Sequence, residues 1–322
     1  MDHVLRWVRQ FDESDRVFLL CELEHILPKS YLSKEDAING IDYMFNFFVD
    51  LLKLNSVDEL LDQSCFLRCQ SDEKSQSKLL EFVDEIALKK FGRSVNDCGT
   101  KPIKYWFYLD DVLATGGTFQ ENITEVIENY KIENFKNDGI QILAVFFFIH
   151  SWASSNIEFI FKKKWGEFFP STLKFFRFFE IQNNPNRNYY VKSQFHNHIY
   201  PRQSGQPQIV DDYLQSLTHA SSQEKFAYRA DGEPTSEVFF SSPGARERYE
   251  QIVLLKGIEL IRQIKGDVKP NTRPLGLIRP SYKTFGLGSH TFTWRNISNT
   301  CPLVFWWEAN GWYPLFHVKN RG

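Results

Sequence analysis

The chain is poor in sulfur: 322 residues carry five cysteines and two methionines. The cysteines are odd in number, irregularly spaced and without a Cys-x-x-Cys pair, which argues against a disulfide framework and against a zinc site. An excess of charge of one sign is also missing. A net charge of −2 gives no electrostatic footprint for nucleic acid or an anionic membrane. No apolar run approaches the roughly 20 residues of a membrane span, and residues 140–149 fall well short. The first turns carry Asp2, Arg6, Arg9 and Asp12, a mixed helical pattern rather than a secretory signal. Two phosphate motifs are absent, because no Gly-Lys-Ser/Thr follows a glycine loop and the glycine spacing does not suit a dinucleotide fingerprint. These absences predict a globular protein of a reducing cytoplasm with no membrane partner.

Aromatic side chains are abundant, with 30 Phe, 13 Tyr and 8 Trp. Bursts such as Phe146-Phe147-Phe148 and Phe175-Phe176 read most simply as core strands, and a base-stacking surface is the alternative. With 42% hydrophobic residues the chain can bury a substantial core.

The densest signal runs from Tyr105 to Thr118. Residues 104–109 are almost wholly apolar, which suits a strand buried on both faces of a parallel sheet. Asp110 and Asp111 close that run and are expected at the strand's carboxyl edge, where open α/β sheets bind ligands. Ala114, Thr115, Gly116 and Gly117 form a turn, and Thr118 with Glu121 matches a capping box for a helix carrying Phe119, Ile123, Val126, Ile127 and Tyr130. The glycines let backbone N–H groups approach a ligand, and the helix start adds partial positive charge suited to a phosphate. The carboxylates would accept hydrogen bonds from vicinal sugar hydroxyls. The segment therefore predicts a pocket for a ribose bearing a 5′-phosphate.

Around it, residues 1–60 read as helical, with Ser33-x-x-Asp36 opening one helix. Residues 64–69 suggest a short strand. The polar stretch Lys74-Ser75-Gln76-Ser77 leads into an amphipathic helix. Strands follow at 140–149 and 173–181, and a helix at 243–264. This alternation predicts a doubly wound, mostly parallel sheet flanked by helices. Residues 182–208 are polar and without period, and contain Arg187, Lys192, His196, His198 and Arg202. A functional lid is one reading. His196-x-His198 has no third ligand nearby and reads as a solvated loop pair rather than a metal site. The last stretch alternates at 290–294 and 303–307, as a small β-rich cap would.

The Tyr105–Thr118 string resembles the phosphoribosyl-pyrophosphate (PRPP) motif of type I phosphoribosyltransferases. Over most of the chain, Arg6-Trp7-Val8-Arg9-Gln10-Phe11-Asp12, Lys74-Ser75-Gln76-Ser77, Arg273-Pro274-Leu275-Gly276, Lys283-Thr284-Phe285-Gly286, Arg295-Asn296-Ile297-Ser298-Asn299 and Trp312-Tyr313-Pro314-Leu315-Phe316 resemble phosphoribosyltransferase-like proteins of bacterial conflict systems, some encoded beside retron reverse transcriptases. Ser298 stands where that group commonly has proline. The resemblance implies a phosphoribosyltransferase-like core over 61–265, an N-terminal helical region over 1–60 and a C-terminal cap over 266–322. It implies PRPP binding by Asp110, Asp111 and Ala114 to Thr118, with the two aspartates catalytic and Mg²⁺ carried on PRPP. Lys74 to Ser77 would form the pyrophosphate loop, or simply a polar turn capping a helix. Tyr282, Phe285, Trp294, Arg295, Asn296 and Asn299 would hold an acceptor base as a hood, or close a small core. The setting implied is antiphage defence, with a nucleotide or PRPP as ligand and a reverse transcriptase–RNA complex or another defence protein as partner. A catalytically silent nucleotide sensor or partner-binding module is the alternative.

Overall fold

The computed structural model describes residues 2–184, 196–220, 226–308 and 311–318. The chain divides into two compact units, one from Leu32–Glu180 and one combining Met1–Tyr31 with Ile181–Gly322. The sequence-based boundaries at 60 and 265 do not coincide with this division.

The Leu32–Glu180 unit is built on a four-stranded sheet: β1 (Ser64–Phe66), β2 (Tyr105–Leu113), β3 (Gln141–His150) and β4 (Leu173–Ile181), in that spatial order. β1 pairs with β2 in parallel, with Ser64 opposite Tyr105. β2 pairs with β3 in parallel, from Tyr105 opposite Gln141 to Leu113 opposite Ile149. Side chains alternate across β2. Trp106 and Tyr108 face α6 (Gly117–Tyr130) and α7 (Ile132–Asn137), with Trp106 at 5.2 Å from Tyr130 and 5.3 Å from Phe135. Phe107 turns the other way, 5.0 Å from Phe48 on α3 (Lys34–Leu52), with Phe45 of that helix against Phe91 of α5 (Ser75–Phe91). Helices therefore cover both faces, as the unbroken apolar runs required.

The start of α3 is set by chemistry legible in the sequence. Ser33 accepts from the Asp36 backbone N–H at 3.0 Å and donates to its carboxylate at 2.6 Å, which satisfies donors that a helix start leaves orphaned.

In the second unit, Leu19, Leu23 and Ile26 share one core with Tyr249, Val253, Leu254 and Ile258 from the helix Pro243–Arg262. The two ends of the chain meet there. The Trp7 indole N–H donates to the Val304 carbonyl at 2.7 Å, its ring stacks on Phe305, and Gln10 exchanges two hydrogen bonds with the Tyr313 backbone. The expected β-rich cap is not what forms. Among the described residues of 266–322 the regular elements are a two-residue strand, Phe292–Thr293, and a helical turn, Leu303–Trp306. Leu303 to Trp306 are all buried, so the alternation read there as a strand is a segment enclosed on every side. The 273–288 stretch is tied by backbone bonds instead, from Leu275 to Phe285 and from Gly288 to Leu275. Gly276 and Gly286 hold positive φ of 102° and 118° with neighbouring backbone packed against them, leaving no room for a Cβ. The Arg273 guanidinium, almost fully buried, donates to the carbonyls of Pro270, Thr272, Pro280 and Tyr282.

The described part of the polar stretch is also packed. His196 and His198 are buried rather than solvated, and their carbonyls accept from Arg246. Arg246 in turn pairs with Glu237 and with Glu250, which also receives Arg229. Residues 185–195, with Arg187 and Lys192, lie outside the described residues. Among the described residues no helix is long and apolar enough to cross a membrane.

Trp7→Ala removes a large buried ring and one of the two indole donors to the Val304 carbonyl, the other being Trp312. It should lower the unfolding free energy by about 3–5 kcal/mol in a urea titration, with a change below about 1 kcal/mol contradicting the packing described.

Candidate functional site

Parallel register brings the loops after β1 and β2 to one edge of the sheet. The acidic pair lies inside β2, which continues to Leu113, rather than just beyond its end. Asp111 is buried and Asp110 is half-buried. Two oxygens of Asp110 are engaged. Oδ1 accepts from the Ser75 hydroxyl at 3.0 Å and from the Asp111 backbone N–H at 2.8 Å, and Oδ2 lies 3.4 Å from the Gln70 amide nitrogen. Three donors around one partly buried carboxylate hold it in place and offset the cost of taking it out of water.

Ser75 is the first residue of α5, whose N-cap is Lys74. The expected pyrophosphate stretch is thus the start of a helix, and the structure joins it to Asp110 directly. Its four residues divide by role. Lys74 is exposed. Gln76 is fully buried, and its side-chain oxygen accepts from the Cys69 N–H at 2.9 Å. The Ser77 hydroxyl donates to the Gln70 carbonyl at 2.8 Å. Gln76 and Ser77 therefore fasten the loop, leaving Ser75 and Lys74 nearest to solvent. Gln70 reaches the acidic pair although no motif contains it, and a single glutamine in a polar loop carries no sequence signal.

The second turn, Ala114 to Gly116, follows β2. Its helix begins two residues earlier than the Thr118/Glu121 capping box implies. Gly116 is the N-cap with φ +80°, Gly117 is the first helical residue, and no side chain caps the start. Thr118 is exposed within the first turn. Leaving these N–H groups without a side-chain cap suits an anion site. The two glycines differ in their reasons. A Cβ on Gly116 would sit 2.8 Å from Ile157, while one on Gly117 would meet nothing within 4 Å. Gly116 lets the turn pack on its neighbour, and Gly117 leaves the approach open.

Three thiols belong to the same unit. Burial pushes the Cys69 thiol up to about 11 and the Cys98 thiol up to about 12, and raises Cys65 as well. All three are half-buried and held as neutral thiols, so none is an activated nucleophile. His150, at the end of β3, is fully buried, and burial lowers it to about 3, so it stays neutral. Among the described residues no group of three or more His, Cys, Asp or Glu is placed to hold a metal ion by itself.

The expected hood residues belong to the other compact unit. Trp294, Arg295 and Asn296 form a tight turn in which the Thr293 hydroxyl accepts from the Arg295 and Asn296 N–H groups and donates to the Asn296 carbonyl. The Asn299 carbonyl accepts from the Leu277 N–H. Phe285 is core, packed against Tyr213 and Tyr228. Tyr282 is half-buried, and burial raises its phenol above the ordinary range.

Residues 4–318 match the PRTase-CE family model. The chain belongs to that phosphoribosyltransferase-like family. Comparison with curated proteins and with solved structures gives no match. The family match spans both compact units, including the meeting of the chain ends around Trp7 and Tyr313.

Two outcomes follow from the turn and the thiols. Gly116→Ala should cost more than about 1 kcal/mol of stability, while Gly117→Ala should stay within about 0.5 kcal/mol, both by urea denaturation. With a disulfide reagent at pH 8, exposed Cys21 should react rapidly while Cys65, Cys69 and Cys98 lag; rapid reaction of Cys69 would contradict its burial.

Proposed function

We propose that this family member binds PRPP at the edge shared by the β1–α5 and β2–α6 connections. The observation that carries the reading is the Ser75–Asp110 hydrogen bond, which joins the stretch expected to hold pyrophosphate to the carboxylates expected to hold ribose. The α6 start and its glycines supply N–H donors for a 5′-phosphate. Asp110 and Asp111 supply acceptors for the ribose hydroxyls, and Ser75 and Lys74 supply donors for pyrophosphate. Mg²⁺ fits as an ion carried mainly on ligand oxygens, since Mg²⁺ keeps several waters and takes few protein ligands, and the oxygen-bearing side chains here include Asp110 and Ser75.

Pentosyl transfer at such a site breaks the bond from C1 to pyrophosphate oxygen as a nitrogen nucleophile or water bonds to C1. The leaving electron pair stays on pyrophosphate, and the nucleophile loses its proton to solvent. The chain's contribution is placement of the two phosphate groups and negative charge beneath a cationic C1. We further propose, from the resemblance alone, a role in antiphage defence acting on nucleotides or nucleic acid, with a reverse transcriptase–RNA complex or another defence protein as partner.

Asp110→Asn combined with Asp111→Asn should abolish the PRPP heat signal in calorimetry, and unchanged binding would remove the site assignment. Incubation of wild type with PRPP and Mg²⁺ should release pyrophosphate. Binding without release would assign the pocket to a sensor.

A further inference from the structure

β4 is the outermost strand of its sheet, paired to β3 on one side and, among the described residues, to no strand on the other. Its nine residues, Leu173–Ile181, read Leu-Lys-Phe-Phe-Arg-Phe-Phe-Glu-Ile, a sequence that mirrors itself in character about Arg177. Side chains alternate along it. Phe175 lies 5.5 Å from Phe119 of α6, and Phe179 lies 5.0 Å from Phe148. Phe176 and Phe178 turn to the other face, against Phe48 of α3 at 4.8 Å and Phe147 at 5.2 Å. By the same alternation Lys174 and Glu180 share the α3 face, and Arg177 stands on the α6 face. Lys174 and Arg177 are exposed. The Arg177–Glu180 ion pair joins residues of opposite faces, so it passes around the outer edge of the strand.

Charged side chains on an edge strand ordinarily deter pairing, because a foreign strand leaves them unmatched. A second copy of the same strand does not. Antiparallel pairing about a two-fold axis at Arg177 sets Lys174 opposite Glu180 of the other copy, once on each side of the axis. It also sets Phe175 opposite Phe179, Phe176 opposite Phe178 and Leu173 opposite Ile181, with both members of each pair on one face. Cross-strand pairs of rings and of opposite charges are the units that stabilise such a sheet. Arg177 meets its own copy at the axis, an unfavourable pair enclosed between two favourable ones. α3 adds an apolar surface beside the same edge. Tyr43, Phe47 and Leu51 follow one another a helical turn apart, and Tyr43 is 68% and Leu51 42% exposed. Phe47 links this stripe to the strand, 6.0 Å from Tyr43 and 5.8 Å from Phe176. Contiguous exposed rings of this kind mark an interaction surface.

We propose that β4 is a homodimerisation edge, on which a second copy of this chain pairs antiparallel about Arg177. Two four-stranded sheets then join into one continuous sheet, an isologous contact that closes on itself. Because paired residues share a face, both α3 helices lie on the same side of the joined sheet and their aromatic stripes flank the axis. Glu180 exchanges its own Arg177 for Lys174 of the other copy. The antiparallel relation points the two Asp110 edges away from each other, so the proposal stands apart from what binds there.

Sedimentation equilibrium of the full chain tests this. Wild type should be mostly dimeric at about 100 µM. Lys174→Glu and Glu180→Lys should each weaken association about tenfold or more, since each sets like charges opposite one another at two positions. Lys174→Glu combined with Glu180→Lys should restore it, which two merely destabilising changes would not. Arg177→Cys should give a covalent dimer on mild oxidation, because directly opposed residues have Cα atoms about 4.5–5.5 Å apart, within disulfide reach. Lys174→Cys should not, its two copies lying about 20 Å apart along the paired strands, and wild type controls for the exposed Cys21. The proposal is overturned by a wild type that stays monomeric at that concentration, by a dimer that both charge reversals leave intact, or by equal cross-linking of the two cysteine variants.

Discussion

The hydrogen bond from Ser75 to Asp110 is the constraint on which the rest of the site depends. It joins residues 35 apart in sequence, and it exists because two parallel strands deliver their following loops to the same edge of one sheet. A half-buried carboxylate in that position needs donors, and the protein supplies a hydroxyl, a backbone N–H and a side-chain amide. In the proposed site, those are the donors with which a ligand's own hydroxyl groups would compete. The sheet makes this possible by being rigid. β2 is clamped between Phe48 on one face and Phe119 and Phe135 on the other, each of these buried rings contributing about 1.5–3 kcal/mol through burial.

Much of that unit was legible beforehand, because the sequence writes it locally. A long apolar run closed by an acidic pair suits a strand covered on both sides, and the Thr-Gly-Gly-Thr that follows suits a tight turn into a helix. The errors were of one or two residues and have local causes. Asp110 and Asp111 remain in strand because β3 pairs onward to Leu113. The capping box yields to Gly116, whose positive φ starts the helix before Thr118 can cap it. Gln70 left no trace in the sequence, since its importance lies in the carboxylate it reaches 40 residues further on.

The other unit was much less legible. Its core joins residues from both ends of the chain, and neither composition nor periodicity reports a pairing across some 300 positions, as between Trp7 and Val304. Alternating aromatics at 303–307 satisfy a strand pattern and a buried helical turn equally well. His196 and His198 looked solvated because their surroundings are polar. The buried arginine that binds their carbonyls lies some 50 residues further on. The motifs that carried the family resemblance at both ends nonetheless have a physical reason. Trp7, Gln10, Gly276, Gly286 and Tyr313 are each fixed by a close backbone contact that tolerates few substitutes.

In the proposed site, two turns at one sheet edge receive the two phosphate ends of a single ligand. Amide hydrogen exchange with PRPP and Mg²⁺ added reads both turns at once. Exchange should slow in two separate stretches, residues 70–77 and 114–118, with the remainder of the sheet unchanged. Slowing in neither stretch, or in only one of them, would contradict it.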